Sequence, residues 1–173
     1  MIIVVNLIPN VLSKSEFYGE VGTISRVLYA ESASVIYDQA GVAWVVYNRS
    51  QASAISAYKV VTAANQFAGY GSYLYYNPDQ TKETWITAVN EAVRLSVGNY
   101  PNRKPTNFSS QNNFRSVKAF QNGLSTSNGA LYLRGKKIYD VYIVGYGVVS
   151  SYSTLKSSAV TALDGQYNIF FKF

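Results

Sequence analysis

The sequence predicts an α+β fold in which a helical N-terminal half, about residues 20–98, precedes a β-rich C-terminal part, about residues 131–173. Apolar residues recur at helical spacing in the first half, whereas tyrosines and β-branched residues interleave after residue 131. Because 48% of the 173 residues are hydrophobic, the chain can bury one sizeable core, and a single domain is predicted. A polar, irregular connection of about residues 99–130 joins the two parts.

Four helices are predicted in the first half. Thr23 is expected to cap the first helix and Asp38 the second, because short polar side chains accept hydrogen bonds from the free N–H groups of a first turn. A short third helix is predicted from Ser56 to Ala64. The fourth has the clearest boundaries, and these are Asn77 as cap, Pro78 at the first position and Gly98 as the stop.

Strands are predicted over residues 131–133, 138–149 and 166–173, with a turn around Gly135 and Lys136. The apolar run at residues 1–9 is too short to span a bilayer and has no basic flank, so a buried strand or packed terminus is expected there. No membrane span is predicted elsewhere. The expectation is a protein made in the cytoplasm without its own secretion signal.

The chain contains neither histidine nor cysteine. Hydrolases that use an imidazole base, thiol nucleophiles and thiolate or histidine metal sites are therefore disfavoured, and no metal or other cofactor is predicted. Acid–base chemistry would fall to nine carboxylates. Chemistry by carboxylates alone is typical of enzymes that cleave glycosidic bonds.

The formal net charge of +6 suits an acidic partner, such as nucleic acid, an anionic membrane or a bacterial wall. Most of the basic excess lies in the second half of the chain. A solvated basic surface with no specific partner explains the same charge equally well.

Glu31 is the carboxylate that the pattern singles out. It follows Val27 and Leu28 on the stripe that the first helix turns inward, where burial of the charged form is costly and raises the pKa of a carboxyl. A general acid needs that protonated state near neutral pH. The alternative is that the helix ends by Ala30 and that Glu31 is a solvated terminal residue.

Three elements within residues 24–70 resemble the cell wall hydrolases related to spore-cortex-lytic enzymes. Residues 24–31, Ile-Ser-Arg-Val-Leu-Tyr-Ala-Glu, are similar to a family helix with the pattern Ala-Arg-x-x-x-x-Glu. Residues 38–49, Asp-Gln-Ala-Gly-Val-Ala-Trp-Val-Val-Tyr-Asn-Arg, are similar to its Gly-Gln-x-x-Val-Ala-x-Val-x-x-Asn-Arg helix. Residues 60–70, with Val-Val and then Asn-Gln-Phe, are similar to its Val-Ile and Gln-Phe-Ser element.

The resemblance implies a lysozyme-like fold with Glu31 as the catalytic proton donor to the bond between N-acetylmuramic acid and N-acetylglucosamine. Many members are lytic transglycosylases, in which the 6-hydroxyl of the muramic acid attacks the anomeric carbon and one carboxyl serves as acid and then as base. Ordinary hydrolysis uses two carboxylates. Since Asp38 is interpreted as a helix cap, the single-carboxyl route is favoured.

The chain departs from the family pattern in two places. The second acidic residue that often follows the catalytic glutamate is replaced by the Ser-Ala-Ser-Val of residues 32–35, and the histidine often found near the end of the domain is absent. The binding residues are therefore less well defined than Glu31.

Substrate binding is assigned to Gln66, Phe67, Tyr70 and Tyr73. An amide can bond sugar hydroxyls, and aromatic rings can stack on pyranose rings; the alternative for the aromatic residues is packing in the core. Arg49, with Asn48, is expected to fix the end of the second helix.

The leading functional hypothesis is a peptidoglycan-cutting muramidase or lytic transglycosylase that acts on glycan strands after release or delivery by another system. Such a protein could be a phage endolysin, a wall-piercing part of a virion or injection machine, or a toxin cargo. The second hypothesis is a non-catalytic peptidoglycan-binding or structural component. The third, a nucleic-acid-binding protein, lacks a recognisable binding motif and is not expected.

Overall fold

The computed structural model describes residues 12–32, 36–103, 113–116, 122–143, 147–148 and 168–173. Within them a helical N-terminal half is followed by an antiparallel sheet, which confirms the predicted α+β class. The helices are α1 (Lys14–Tyr18), α2 (Glu20–Ser32), α3 (Ile36–Ser53), α4 (Ala57–Thr62), α5 (Tyr73–Tyr76) and α6 (Glu83–Ser96). The strands are β1 (Asn113–Ser116), β2 (Leu124–Ser127), β3 (Ala130–Leu133), β4 (Lys136–Ile143), β5 (Gly147–Val148) and β6 (Asn168–Lys172).

Helix α1 was not predicted, although its start has a local signal. Ser13 and Glu16 form a reciprocal capping box, in which the Glu16 carboxylate accepts from the Ser13 backbone N–H at 2.9 Å. Helix α2 then begins at Glu20, directly after Gly19, so the predicted cap at Thr23 is wrong. Thr23 lies inside α2, where its backbone N–H donates to the Gly19 carbonyl at 2.9 Å.

Two further predicted caps are wrong. Helix α3 begins before Asp38, which lies in its first turn, and the Asp38 carboxylate accepts from Asn168 instead. Asn77 ends α5 rather than starting α6, because both its backbone N–H and its side-chain amide donate to the Tyr73 carbonyl. Helix α6 starts five residues after Pro78, at Glu83.

Two predicted boundaries agree closely with the structure. The third helix was predicted from Ser56 to Ala64, and α4 begins one residue later and ends at Thr62, with Ser56 as its cap accepting from the Lys59 backbone N–H at 3.3 Å. Gly98 follows the end of α6 with a φ of +77°, a left-handed conformation that favours glycine.

Helix α2 is the centre of the helical half. Its buried residues include Ile24, Val27, Leu28 and Tyr29, and Tyr29 packs edge-on against the buried Trp85 of α6 at 5.8 Å between ring centroids. The fully buried Gln39 of α3 donates to the Thr84 carbonyl at 2.9 Å, which ties α3 to the first turn of α6. Both flanking helices are thereby held around α2.

The strands are arranged in the order β1-β6-β4-β3-β2, all antiparallel, and β5 also pairs with β4. Two-residue turns with positive φ at both positions, Asn128-Gly129 and Arg134-Gly135, join β2 to β3 and β3 to β4. Such turns match the right-handed twist of hairpin strands. The turn predicted around Gly135 and Lys136 therefore lies one residue earlier, at Arg134-Gly135.

The strands differ from the prediction in two ways. β1 and β2 lie inside the stretch that was expected to be an irregular connection, residues 99–130. The predicted strand at residues 138–149 contains two elements, since β4 ends at Ile143 and β5 pairs back on it, with Ile143 opposite Gly147. Long apolar runs hide such reversals because both strands have the same composition.

Strand β6 packs on α3. Its residues Ile169, Phe170 and Phe171 are fully buried, and the Phe170 ring lies against Gly41. A methyl group on Gly41 would lie 2.4 Å from the Phe170 ring, so glycine is what permits this approach. The sheet therefore contacts the helical half at the face of α3 that carries Gly41.

None of the helices in the described ranges is long and apolar enough to cross a membrane. The predicted buried strand or packed terminus at residues 1–9 lies outside the described residues.

We expect Gly41→Ala to lower the free energy of unfolding by about 1–3 kcal/mol, because the added methyl group overpacks the contact with Phe170. The higher helix propensity of alanine acts in the opposite direction, so a net loss of stability would come from the clash with Phe170. Urea denaturation measures the change. In a double-mutant cycle, Phe170→Leu should recover part of the loss; strictly additive effects of the two substitutions would contradict the contact.

Candidate functional site

Glu31 lies in the last turn of α2 and is partly buried. Its Oε1 accepts a hydrogen bond from the backbone N–H of Gly69. Burial raises the pKa of the Glu31 carboxyl, and the Gly69 hydrogen bond opposes that rise in pKa without cancelling it. The helix continues to Ser32, so the alternative of a solvated residue beyond the helix end does not describe Glu31.

The loop between α4 and α5 lies directly on the end of α2. A methyl group on Gly69 would lie 3.0 Å from Glu31 Oε1 and 2.9 Å from Ala30 Cβ, so a side chain at this position would displace one of them. Gly69 therefore brings a backbone donor to the carboxyl group at a distance that a larger residue would prevent.

Asp38 is a second buried carboxylate in this region and is fully inaccessible to solvent. Its Oδ1 accepts from the Asn168 backbone N–H at 2.9 Å, and its Oδ2 accepts from the Asn168 side-chain amide at 2.8 Å. Burial raises the pKa of Asp38 to about 6 despite these hydrogen bonds. The interpretation of Asp38 as a helix cap missed this environment.

Two charged side chains of α3 act on Glu31. The negative charge of Asp38 raises the pKa of Glu31, and the positive charge of Arg49 lowers it. The sequence contained a signal for both residues. Positions 38, 42, 45 and 49 share one face of an α-helix, and the intervening Val42 and Val45 are fully buried.

Arg49 lies in the interior of α3, four residues before its end at Ser53, and not at the helix end as predicted. Its guanidinium donates to the Gln66 side-chain carbonyl at 3.1 Å and to the Asn113 side-chain carbonyl at 3.4 Å. It also lies 5.5 Å from the centre of the Phe67 ring. Arg49 thus links α3 to the α4–α5 loop and to β1.

The four residues assigned to substrate binding have different environments. Phe67 is only 5% exposed, so it packs beneath Arg49 rather than presenting an open ring. Gln66 is exposed. Tyr70 is 45% exposed and follows Gly69 in the chain, and Tyr73 at the start of α5 is 78% exposed. Gln66 and Tyr70 thus flank the Gly69 contact in sequence, and Tyr73 lies farther along.

Arg26 is a buried cation that sequence reasoning did not assign to a role. Its guanidinium lies 4.1 Å from the centre of the Tyr75 ring and 4.8 Å from that of Phe17. It donates to the Gly22 carbonyl and to the Thr23 hydroxyl, both at 3.2 Å. These contacts hold α1 and α5 against α2, the helix that carries Glu31.

Searches of protein-family models, curated proteins and solved structures each found no significant match to this chain. The resemblance of residues 24–70 to cell wall hydrolases therefore stays a prediction. Chemically, the arrangement provides the partly buried carboxyl group of Glu31, which accepts a hydrogen bond from the Gly69 N–H. The charge of Asp38 raises its pKa, and the charge of Arg49 lowers it.

Protein stability should fall as pH rises through the titration range of Asp38. Because its folded-state pKa is about 6, above its ordinary value of 3.8, the folded protein binds more protons than the unfolded chain between these values. The loss from pH 4 to 7 is on the order of 3 kcal/mol for this group, and the raised pKa of Glu31 acts in the same direction.

Urea denaturation at several pH values measures this loss. Asp38→Asn should flatten the pH dependence, whereas Asp140→Asn, which removes an exposed carboxylate bonded to Lys172, should preserve it. Parallel pH profiles for wild type and Asp38→Asn would exclude Asp38 as the source.

Proposed function

We propose that this protein cleaves the glycosidic bond between N-acetylmuramic acid and N-acetylglucosamine in peptidoglycan, with Glu31 as general acid. The observation that carries the proposal is the environment of Glu31: a partly buried carboxyl whose pKa is raised by burial and whose Oε1 is held by Gly69. The three-element resemblance of residues 24–70 supports the same reaction, and it implies a lysozyme-like fold.

The first step is proton donation. Because Oε1 accepts the Gly69 N–H, Oε2 is the oxygen that carries the proton and gives it to the glycosidic oxygen. The bond between that oxygen and the muramic acid C1 breaks, the N-acetylglucosamine leaves with the proton on its O4, and Glu31 becomes a carboxylate.

The second step uses the same carboxylate as a base. The muramic acid 6-hydroxyl attacks C1, and its proton returns to Glu31, which gives a 1,6-anhydro product. Both oxygens of the inaccessible Asp38 accept hydrogen bonds from Asn168, so Asp38 is poorly suited to act as nucleophile or to activate a water. This supports the transglycosylase route over two-carboxylate hydrolysis.

Glycan contacts are proposed at the α4–α5 loop and at the first residue of α5. Exposed Tyr70 and Tyr73 offer ring faces for pyranose stacking, and the exposed Gln66 offers its amide nitrogen for sugar hydroxyls. Phe67 supports Arg49 from below and is left out of the binding surface. The net charge of +6 favours association with an anionic wall, reached after release or delivery by another system such as a phage particle or injection machine.

Glu31→Gln should slow product release from peptidoglycan by about 10²-fold or more, because an amide cannot donate the proton. Mass spectrometry of soluble products measures this effect, and anhydromuramic ends from the wild type alone are the expected result. Reducing ends would indicate hydrolysis instead.

Three other outcomes would contradict the proposal. Equal release by both proteins would show that Glu31 is not the acid. Absence of release with equal pelleting of both proteins with the wall would favour a binding module. Salt-sensitive binding to oligonucleotides without wall binding would favour a nucleic-acid-binding protein.

Tyr70→Ala and Tyr73→Ala should each raise the KM for soluble glycan strands roughly fivefold, the equivalent of about 1 kcal/mol of lost stacking. Tyr139→Ala is the matched control, since Tyr139 is similarly exposed but lies on β4. The same increase in KM for Tyr139→Ala would point to a general loss of aromatic surface instead.

A further inference from the structure

Asn168, the first residue of β6, contacts both Asp38 and the end of the helix that carries Glu31. Its side-chain amide donates to Asp38 Oδ2 at 2.8 Å and to the Glu31 backbone carbonyl at 3.3 Å. Its backbone N–H donates to Asp38 Oδ1 at 2.9 Å. One asparagine, 137 residues from Glu31 and 130 residues from Asp38 in the chain, thus joins the two carboxyl-bearing residues.

We infer that Asp38 and Asn168 are positioning residues for Glu31. Asn168 fixes the end of α2 from which Glu31 projects, and Asp38, which accepts two hydrogen bonds from Asn168, places a buried carboxylate near that end. The inference rests on the proposed function, because it assigns these two residues a task in the reaction of Glu31.

The first argument is that Asn168 satisfies a carbonyl group that the helix leaves open. The last four carbonyls of an α-helix have no partner within the helix, and the Glu31 carbonyl is one of them. The Asn168 amide donates to it from a strand that is itself held by buried Ile169 and Phe170. The end of α2, and with it the origin of the Glu31 side chain, is anchored to the sheet.

The second argument is that Asp38 is a costly residue for a purely structural task. It is fully buried, and no lysine or arginine of the described ranges forms an ion pair with it. The groups that hydrogen-bond to it, Asn168 and the Ser32 side chain that also lowers its pKa, are neutral, so they do not cancel its charge. A buried carboxylate without an opposite charge destabilises the fold. Near a general acid, however, its negative charge favours the protonated form of that acid.

The third argument concerns the charges around Glu31. Among the described residues, the charged groups that act on Glu31 are Asp38, which favours the protonated carboxyl, and Arg49, which favours the ionised one. Both project from α3, while the α4–α5 loop contributes the neutral Gly69 N–H and β6 contributes the neutral Asn168. Removing Asp38 leaves Arg49 as the charged group of the described ranges that acts on Glu31.

The main test is a carbon-detected NMR titration of Glu31 in protein labelled at its carboxyl carbons. In Asp38→Asn, the midpoint of Glu31 should fall, because the substitution removes a negative charge that raises the Glu31 pKa, and the protonated fraction at neutral pH should fall with it. Asp140→Asn is the matched control, because it removes an exposed carboxylate that is also bonded to β6, through Lys172, and should leave the midpoint unchanged. An unchanged midpoint in Asp38→Asn overturns the inference.

A measurement on the unaltered protein covers the case in which Asp38→Asn does not fold. If the two carboxyls are coupled, the Glu31 resonance must show a second inflection at the midpoint of Asp38 titration. A single inflection at Glu31, with none at the Asp38 midpoint, overturns the inference without any variant.

The contribution of Asn168 is tested by kinetics. Asn168→Ala keeps the backbone N–H to Asp38 and removes both side-chain bonds. We expect kcat to fall about tenfold with little change in KM, and Asp38→Asn should move the alkaline limb of the pH–kcat profile to lower pH. An unchanged kcat for a folded Asn168→Ala protein overturns its positioning role.

The outcomes separate the inference from the proposed function. If the wild type releases no glycan product, the proposed function fails, while the NMR midpoint still decides whether Asp38 controls the protonation of Glu31. If the wild type is active but Asp38→Asn has the same Glu31 midpoint and the same pH–kcat profile as the wild type, only the inference fails.

Discussion

The packing of β6 against the start of α3 is the interaction on which the rest of the structure depends. Phe170 packs on the bare backbone of Gly41, and Asn168 donates two hydrogen bonds to Asp38 one turn earlier. The apolar contact removes the Phe170 ring from water, and the polar contact satisfies the backbone N–H and the side-chain amide at the start of the strand. Asn168 also donates to the Glu31 carbonyl, so the packing of β6 holds the end of α2 as well.

This arrangement confines two carboxyl groups to a poorly hydrated region. Burial raises the pKa of both, and the mutual repulsion of their charges adds to the rise at Glu31. The consequence is a fold that is less stable near neutral pH than its apolar packing alone would allow. Destabilising polar groups of this kind concentrate at functional sites, which supports the proposal that the region performs chemistry.

The α4–α5 loop contributes to the site through its backbone more than through its side chains. Gly69 places an N–H on Glu31, and Phe67 is covered by Arg49, so this loop first serves to hold the Glu31 carboxyl group. The exposed rings lie after this contact, at Tyr70 and Tyr73. A ring that packs under a guanidinium and a ring that faces solvent have the same appearance in a sequence.

The sequence alone determined the fold class, the β-rich second part, the start of a helix near Ser56 and the helical stop at Gly98. These depend on periodicity, composition and the conformational preferences of single residues, which are local properties. It also singled out Glu31, since the residue continues an apolar helical stripe. The caps predicted at Asp38 and Asn77 were wrong because a polar side chain near a helix can bond to more than one partner.

Only the tertiary structure decided the partners of those side chains. Asp38 bonds to Asn168, 130 residues away, and Arg49 bonds to Asn113, 64 residues away. No pattern within a helix or strand encodes which distant strand will pack on it, because that choice depends on shape and burial summed over the whole core. The sequence therefore supplied the carboxyl group of Glu31, and the tertiary structure supplied its burial and the nearby charge of Asp38, which raise its pKa.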